Sequence, residues 1–266
     1  MRDITLGQFV AGNSVIHKLD PRTKIGMMIL YIVMTFLVKR IYFFAIPLAY
    51  LIIELILSGI SLRYILNALK PIRILLILMF VLNLVFTKGE NVWLDLGFWQ
   101  ITGEAVLQSC FMTLRIILLV AGASMLTLTT SPLALTDGLE RLLSPLKVFR
   151  FPAHELAMMM TIALRFIPTL MDESDKIRSA QMARGADFES GNVFRRVKSM
   201  IPILIPLFVS SFRKADELAI AMESRCYHGG EGRTRLHQLR FRLPDLIAIL
   251  VTLLFVASLI VVLVLF

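Results

Sequence analysis

The sequence predicts an all-α integral membrane protein with about five transmembrane helices and a cytosolic insert of two long amphipathic helices. Of the 266 residues, 57% are hydrophobic and only 18% are charged, whereas about a quarter of an ordinary soluble domain is charged. A spanning helix needs about 20 apolar residues to cross a hydrocarbon core of roughly 30 Å. Five apolar runs are present, at residues 25–38, 41–60, 72–87, 105–130 and 245–266.

The second, fourth and fifth runs are long enough to span. The first and third are short, and spanning requires flanking lysines that reach the membrane interface. No Gly or Pro marks the turn at Lys39 and Arg40, so one re-entrant pair is the alternative to the first hairpin. The predicted organisation is a membrane region with about four spans (1–130), a cytoplasmic region (131–244) and a last transmembrane helix (245–266).

Charge asymmetry predicts the orientation. More than half of the 28 Lys and Arg residues lie in 131–244, and the loops on the other side hold only Lys39, Arg40 and Lys88. Because cytoplasmic loops carry the excess of Lys and Arg, we expect a multi-pass protein of the cell (plasma) membrane with its N-terminus and residues 131–244 in the cytoplasm. The net charge of +9 therefore reflects topology, and the expected partner is the lipid bilayer, with no nucleic acid.

Two charged residues lie within the apolar runs, away from their ends: Glu54 and Arg115. Charge inside a membrane is costly and is a functional signal by default. The favoured interpretation is that each lies near a span end or pairs internally, because a substrate or proton path normally uses several such groups. A functional role for the two residues is left open. The membrane part is interpreted as a scaffold rather than a conduit.

Two stretches of the insert share one plan: an apolar start, a densely charged second half, and a final arginine followed by a small residue. The first stretch runs from Leu156 to Arg184 and Gly185, and the second from Ile201 to Arg225 and Cys226. A short amphipathic helix at about 133–143 precedes both, and we expect Ser131 as its N-cap and Pro132 at its first position. Helical periodicity in both predicts two arms that end in a cationic tip, and Gly185 suits the left-handed residue that closes a helix.

A single arginine at a helix C-terminus is explained by the helix dipole. Two arginines in matched context favour binding to a partner instead. The planar guanidinium stays charged and binds carboxylates bidentately, so a groove lined by Asp or Glu is the expected receptor.

The chain resembles, over nearly its whole length, the transmembrane T component of energy-coupling factor (ECF) transporters. The resemblance lies in the order and spacing of several short motifs. Cys226 departs from the glycine often found in the last of them. The motifs are residues 19–24 (LDPRTK), 130–132 (TSP), 163–168 (ALRFIP), 181–185 (QMARG) and 221–227 (AMESRCY).

The resemblance implies a non-catalytic subunit, without a cofactor, that joins two ABC-type ATPases to a small substrate-binding membrane protein, the S component, for uptake of vitamins or transition-metal ions. ATP then binds to the ATPases. The implied ATPase-docking residues are Ala183, Arg184, Gly185, Ser224, Arg225 and Cys226. The implied S-component platform consists of apolar residues upstream on both arms: Met159, Met160, Ala163, Ile167, Leu204, Phe208 and Phe212.

Three alternatives compete with this interpretation. A conventional ABC importer permease with its own substrate path also contacts ATPases, but it pairs with a second permease. An integral membrane enzyme is disfavoured because the four histidines offer no spaced acid, base or metal cluster. A basic membrane-surface scaffold fits the charge but leaves the paired arms unexplained.

Overall fold

A computed structural model describes residues 9–87, 92–95, 100–149, 151–188, 192–229 and 239–265. They form two compact units. The membrane unit comprises the described residues of 5–142 and 238–266, and the arm unit comprises those of 143–237.

The elements follow in chain order: α1 (Pro21–Leu37), a 3-10 helix (Ile41–Phe44) that leads into α2 (Ala45–Ser58), α3 (Leu62–Leu69), α4 (Arg73–Phe86), β1 (Val92–Asp95), β2 (Gln100–Thr102), α5 (Gly103–Thr129), α6 (Pro132–Leu143), a second 3-10 helix (Ser144–Phe149), α7 (Ala153–Ala183), α8 (Val193–Glu223) and α9 (Leu243–Leu265). The all-α membrane fold class is confirmed. One small antiparallel pair, β1 with β2, was not predicted by the sequence pattern.

Within the described residues, three helical segments are long and apolar enough to span a membrane: Ile41–Ser58, α5 and α9. α3 and α4 pass this test together, although a 64° bend separates them, which makes four spans if the bent pair counts as one. α1 has only 17 residues and is not among these candidates. The count of five spans and their orientation therefore stay predictions.

α5 is the centre of the membrane unit, because α1, α2, α3 and α4 all pack against it. The Tyr31 ring of α1 stacks on Tyr50 of α2 at 5.5 Å between centroids, and its hydroxyl donates to the Leu118 carbonyl of α5 at 3.1 Å. Gly122 lies directly against the same ring, so that any side chain there would collide with it. A close approach of α1 to α5 thus depends on glycine at this position.

Residues 19–24 (LDPRTK), at the start of α1, contact the C-terminus of α5 and the N-terminus of α9. The Lys24 ammonium is buried and donates to the Thr129 carbonyl at 2.9 Å and to the Thr130 hydroxyl at 3.1 Å, so it caps the C-terminus of α5. The Asp245 carboxylate of α9 accepts from the backbone N–H of Asp20 at 2.7 Å. Residues 19–24 and 130–132 are therefore in contact, which their separation in sequence does not reveal.

Arg115 pairs internally, as the favoured interpretation expects. Its guanidinium donates to the Val38 carbonyl at 2.6 Å, where α1 ends, and lies over the Phe111 ring at 4.6 Å. The charge is thus used to cap a helix C-terminus.

Candidate functional site

The two predicted arms are α7 and α8, each 31 residues long. α7 ends where the sequence predicts. α8 begins at Val193, eight residues before the apolar stretch that starts at Ile201. Pro168 lies inside α7, and Pro202 and Pro206 lie inside α8, without ending either helix.

The two arms end in the same hydrogen-bonded motif. In α7, the Gly185 N–H donates to the Met182 carbonyl at 2.9 Å, and the Ala186 N–H donates to the Gln181 carbonyl at 3.0 Å. This pattern, with a left-handed residue just past the last helical turn, is the Schellman motif. Gly185 supplies that residue with φ +86°. Arg184 is the residue immediately before it, at the C-cap.

α8 repeats this geometry although a cysteine replaces the glycine. The Cys226 N–H donates to the Glu223 carbonyl at 2.9 Å, and the Tyr227 N–H donates to the Met222 carbonyl at 3.0 Å. Cys226 has φ +58° and is the one non-glycine residue with positive φ in the part of the chain that the structure describes. Arg225 therefore occupies the position that corresponds to Arg184.

All six predicted docking residues are exposed: Ala183, Arg184, Gly185, Ser224, Arg225 and Cys226. Neither the Arg184 nor the Arg225 guanidinium forms a hydrogen bond or ion pair with any residue that the structure describes. As far as the described residues go, the donors of each guanidinium are therefore left for an external carboxylate.

The arms run in opposite directions against each other. The start of α7 and the end of α8 border an open pocket of about 500 Å³, lined by Met158 and Ile162 of α7 and by Leu218, Met222 and residues 225–229. Arg225 therefore lies beside Ile162, whereas Arg184 lies about six turns further along α7, roughly 30 Å away at 1.5 Å per residue. The structure separates the two predicted tips into two sites.

The Glu173 side chain of α7 links the two arms. The Glu173 carboxylate of α7 accepts a hydrogen bond from the Ser210 hydroxyl of α8 with one oxygen and pairs with the Lys214 ammonium through the other. Hydrogen bonds from Lys214 and Ser210 hold the pKa of Glu173 below its ordinary value. The sequence signal for this link is weak: Ser210 and Lys214 are four residues apart on one face of a helix and interrupt an apolar stripe.

α8 has two distinct faces. Ile203 and Ser210 are buried on the side that packs against α7, while Phe208 and Phe212 on another side are 62% and 66% exposed, with rings stacked at 6.3 Å between centroids. The whole predicted platform is exposed: Met159, Met160, Ala163, Ile167, Leu204, Phe208 and Phe212. An apolar surface of this kind is typical of a protein or membrane interaction site.

Within the described residues, no group of three or more His, Cys, Asp or Glu side chains is placed to hold a metal ion. The arm unit offers two cationic tips and an exposed apolar surface, which are features suited to binding.

Comparison with known proteins gives matches over most of the chain. The family model CbiQ, described as "Cobalt transport protein", matches residues 12–236. The chain is 56% identical to the energy-coupling factor transporter transmembrane protein EcfT of Thermosediminibacter oceani, over 95% of each chain. It is 52% identical to the EcfT protein of Clostridium kluyveri, over 96% of this chain and 95% of the relative. For the EcfT protein of Lactococcus lactis subsp. cremoris the identity is 44%, over 92% of each.

Proposed function

The chain belongs to the family of EcfT, the transmembrane component of energy-coupling factor transporters, and on this basis we propose that it couples two ABC-type ATPases to a substrate-binding S component. In this proposal the ATPases bind and hydrolyse ATP, and the S component binds the vitamin or transition-metal ion. The chain itself transmits movement between them and carries out no chemical step.

Each tip is proposed to dock one ATPase. Arg184 and Arg225 share one backbone geometry, are both exposed, and have no internal partner among the described residues. An acidic groove on the ATPase would satisfy each guanidinium bidentately. The observation that carries the proposal is the matched pair of Schellman ends about 30 Å apart, because one chain then offers two similar sites to a pair of similar subunits.

The crossing of the arms provides a means of transmission. When ATP binding closes the two ATPases, the tips are displaced relative to each other. Both arms are long helices, linked through Glu173, Ser210 and Lys214, so a displacement at a tip rotates one arm against the other. The exposed platform, which includes Phe208 and Phe212, would pass this rotation to the S component and tilt or release it.

Stoichiometry tests the proposal. The intact complex is purified from membranes by a tag on this chain, and the copies of each subunit are counted by native mass spectrometry. We expect one copy of this chain with two ATPase subunits and one small membrane protein. Two copies of this chain with two ATPases and no S component would contradict the proposal and would favour a conventional ABC permease.

A further inference from the structure

An apolar groove of about 250 Å³ lies between α2 and α9 in the membrane unit. Its walls include Leu19, Ile53, Ala248 and Val251. Both helices belong to segments that are long and apolar enough to span, so the groove is open to the hydrocarbon of the bilayer. Neither the docking tips nor the platform residues line it, so the groove is separate from the surfaces of the proposed coupling function.

Among the described residues that line this groove, Glu54 alone carries a charge. It lies on α2, about one helical turn after Tyr50 and one turn before Leu57, which places it midway along the groove. The side chain is partly buried and forms no hydrogen bond or ion pair with any residue that the structure describes. A carboxylate that faces hydrocarbon without a partner is costly, and such a residue indicates a functional site by default.

Lys24 is the cation that acts on Glu54 electrostatically, and it cannot supply the missing hydrogen bond. Its ammonium has three N–H donors. These donate to two backbone carbonyls, at 3.2 and 2.9 Å, and to the Thr130 hydroxyl, at 3.1 Å. Lys24 also lies within electrostatic range of the Asp245 carboxylate. One cation whose donors are all in use is therefore shared by two acids, and Glu54 can still accept a hydrogen bond from a ligand.

The hydroxyl groups that line the groove are also engaged. The Thr252 hydroxyl donates to the Ala248 carbonyl at 2.8 Å, so the Tyr50 hydroxyl is the donor in its 3.1 Å bond to Thr252. The described lining therefore combines apolar walls and one acceptor, Glu54, with no side-chain donor left over. A ligand that fits must bring its own positive charge or N–H donors together with hydrocarbon.

We propose that this groove binds a lipophilic amine dissolved in the bilayer, with the ammonium on the Glu54 carboxylate and the hydrocarbon against α2 and α9. An ion pair is strong in surroundings of low dielectric constant, and the ammonium also supplies N–H donors. A phospholipid fits less well, because its phosphate would be brought close to the Glu54 carboxylate.

The test uses the full-length chain in phosphatidylcholine nanodiscs and two photoreactive probes. Both carry the same dodecyl tail with a diazirine, and the head group is a primary amine in one and a hydroxyl in the other. Labelled peptides of α2 and α9 are counted by mass spectrometry. We expect the amine to label them at about tenfold lower concentration than the alcohol, and unlabelled dodecylamine to compete with it.

Two acid variants test the ion pair. Glu54→Gln should remove the advantage of the amine and leave labelling by the alcohol unchanged, because the amide keeps the shape of the side chain without its charge. Glu104→Gln, which removes an exposed acid of α5 outside the groove, is the matched control and should keep the advantage. Equal labelling by amine and alcohol in the unmodified chain would overturn the proposal.

A second pair of variants tests the groove itself. Ala248→Phe places a ring inside it and should abolish saturable labelling by the amine. Ala257→Phe, at an exposed position of α9 outside the groove, should retain it. Equal labelling of these two variants would assign the amine to another site and refute the proposal. If Ala248→Phe does not fold, the comparison of Glu54→Gln with Glu104→Gln still decides the question.

Two further measurements separate the amine from other occupants. Exchange of phosphatidylcholine for phosphatidylethanolamine in the nanodiscs should leave labelling by the amine unchanged, and a loss of labelling would show that an aminophospholipid takes the groove instead. A photo-crosslinker at Ile247 is then used in native membranes with dodecylamine added. Attachment to the amine supports the proposal, whereas attachment mainly to a protein helix would show that the groove is a protein interface and contradicts it.

Discussion

Glu173 of α7 and Lys214 of α8 form an ion pair where the two arms cross, and Ser210 donates to the second oxygen of the same carboxylate. The residues are about forty positions apart in sequence, so this contact exists only in the packed arm unit. A directional link of this kind fixes the register in which one arm meets the other.

Breaking this pair should uncouple the arms without unfolding the protein. Both groups are partly exposed, and partly exposed pairs contribute little to the free energy of unfolding. We therefore expect Glu173→Lys or Lys214→Glu to lower the rate of ATP-driven uptake several-fold with a nearly unchanged melting temperature. The double exchange, Glu173→Lys with Lys214→Glu, should recover most of the uptake. Additive losses in the double variant would show that the pair has no coupling role.

The same link predicts a dependence on acid pH. The pKa of Glu173 is held below its ordinary value by hydrogen bonds from Lys214 and Ser210. Its contribution to stability is therefore fully present above the pKa of the unfolded chain and is lost as the pH falls through the folded-state pKa. Because the pair is partly exposed, we expect only a small difference in melting temperature between wild type and Glu173→Gln, constant near neutral pH and shrinking as the pH falls below the ordinary Glu pKa of about 4.3. A difference that grows on acidification would contradict this assignment.

The tips should act as two separate sites. Arg184→Ala or Arg225→Ala alone should leave one ATPase contact and reduce co-purification of the ATPases, and the double variant should abolish both docking and uptake. Lysine at either position should restore docking only in part, because an ammonium lacks the bidentate fork. Arg40→Ala, which removes an exposed arginine outside the arms, serves as the control. Undiminished docking by the double variant, with normal uptake, would disprove the assignment of the tips.

The sequence predicts the parts of this chain that depend on local pattern. The apolar runs, the start of α6 with Pro132 at its first position and Ser131 accepting from the Ala134 N–H, and the two arginine tips all follow from periodicity and capping rules. The link at Glu173 and the contact of Lys24 with Thr129 depend on which helices become neighbours. Such contacts are set by packing and leave little trace in one sequence.

The end of α8 at Cys226 is shown by the structure and not by the sequence pattern. Position 226 holds a cysteine where glycine is often found, so the sequence alone does not show how α8 ends. The structure closes the helix in the usual way, with Cys226 in the left-handed region. A non-glycine residue there costs on the order of 1 kcal/mol. The hydrogen bonds of the motif are sufficient to hold that conformation.

Cys226→Gly should therefore stabilise the end of α8 by about 1 kcal/mol and slow exchange of the Tyr227 amide hydrogen. Gly185→Ala should have the opposite effect on α7 and speed exchange of the Ala186 amide. A methyl group at position 185 meets no other atom within 4 Å, so only backbone strain is introduced. Hydrogen exchange followed by mass spectrometry measures both amides. Faster exchange at Tyr227 in Cys226→Gly would show that the cysteine side chain itself stabilises the tip.

Two glycines of the membrane unit should respond in opposite ways to the same substitution. At Gly122 in α5, an added methyl group collides with the Tyr31 ring, so Gly122→Ala must displace Tyr31 from its stacking on Tyr50 and from its hydrogen bond to the Leu118 carbonyl. Overpacking of this kind costs about 1–3 kcal/mol. At Gly26 in α1, an added methyl group meets no atom within 4 Å. Gly26→Ala should then stabilise α1 by roughly 0.5–1 kcal/mol, because alanine loses less backbone entropy in a helix.

Melting temperatures in detergent, measured for both glycine variants beside wild type, test the pairing of α1 with α5. We expect Gly122→Ala to melt lower and Gly26→Ala to melt at the same temperature or higher. Tyr31→Leu removes the ring that position 122 meets, so Gly122→Ala should cost less in that background. If Gly122→Ala is as harmless as Gly26→Ala, then α1 does not approach α5 closely at this point, and the stacking of Tyr31 on Tyr50 cannot be what holds the centre of the membrane unit together.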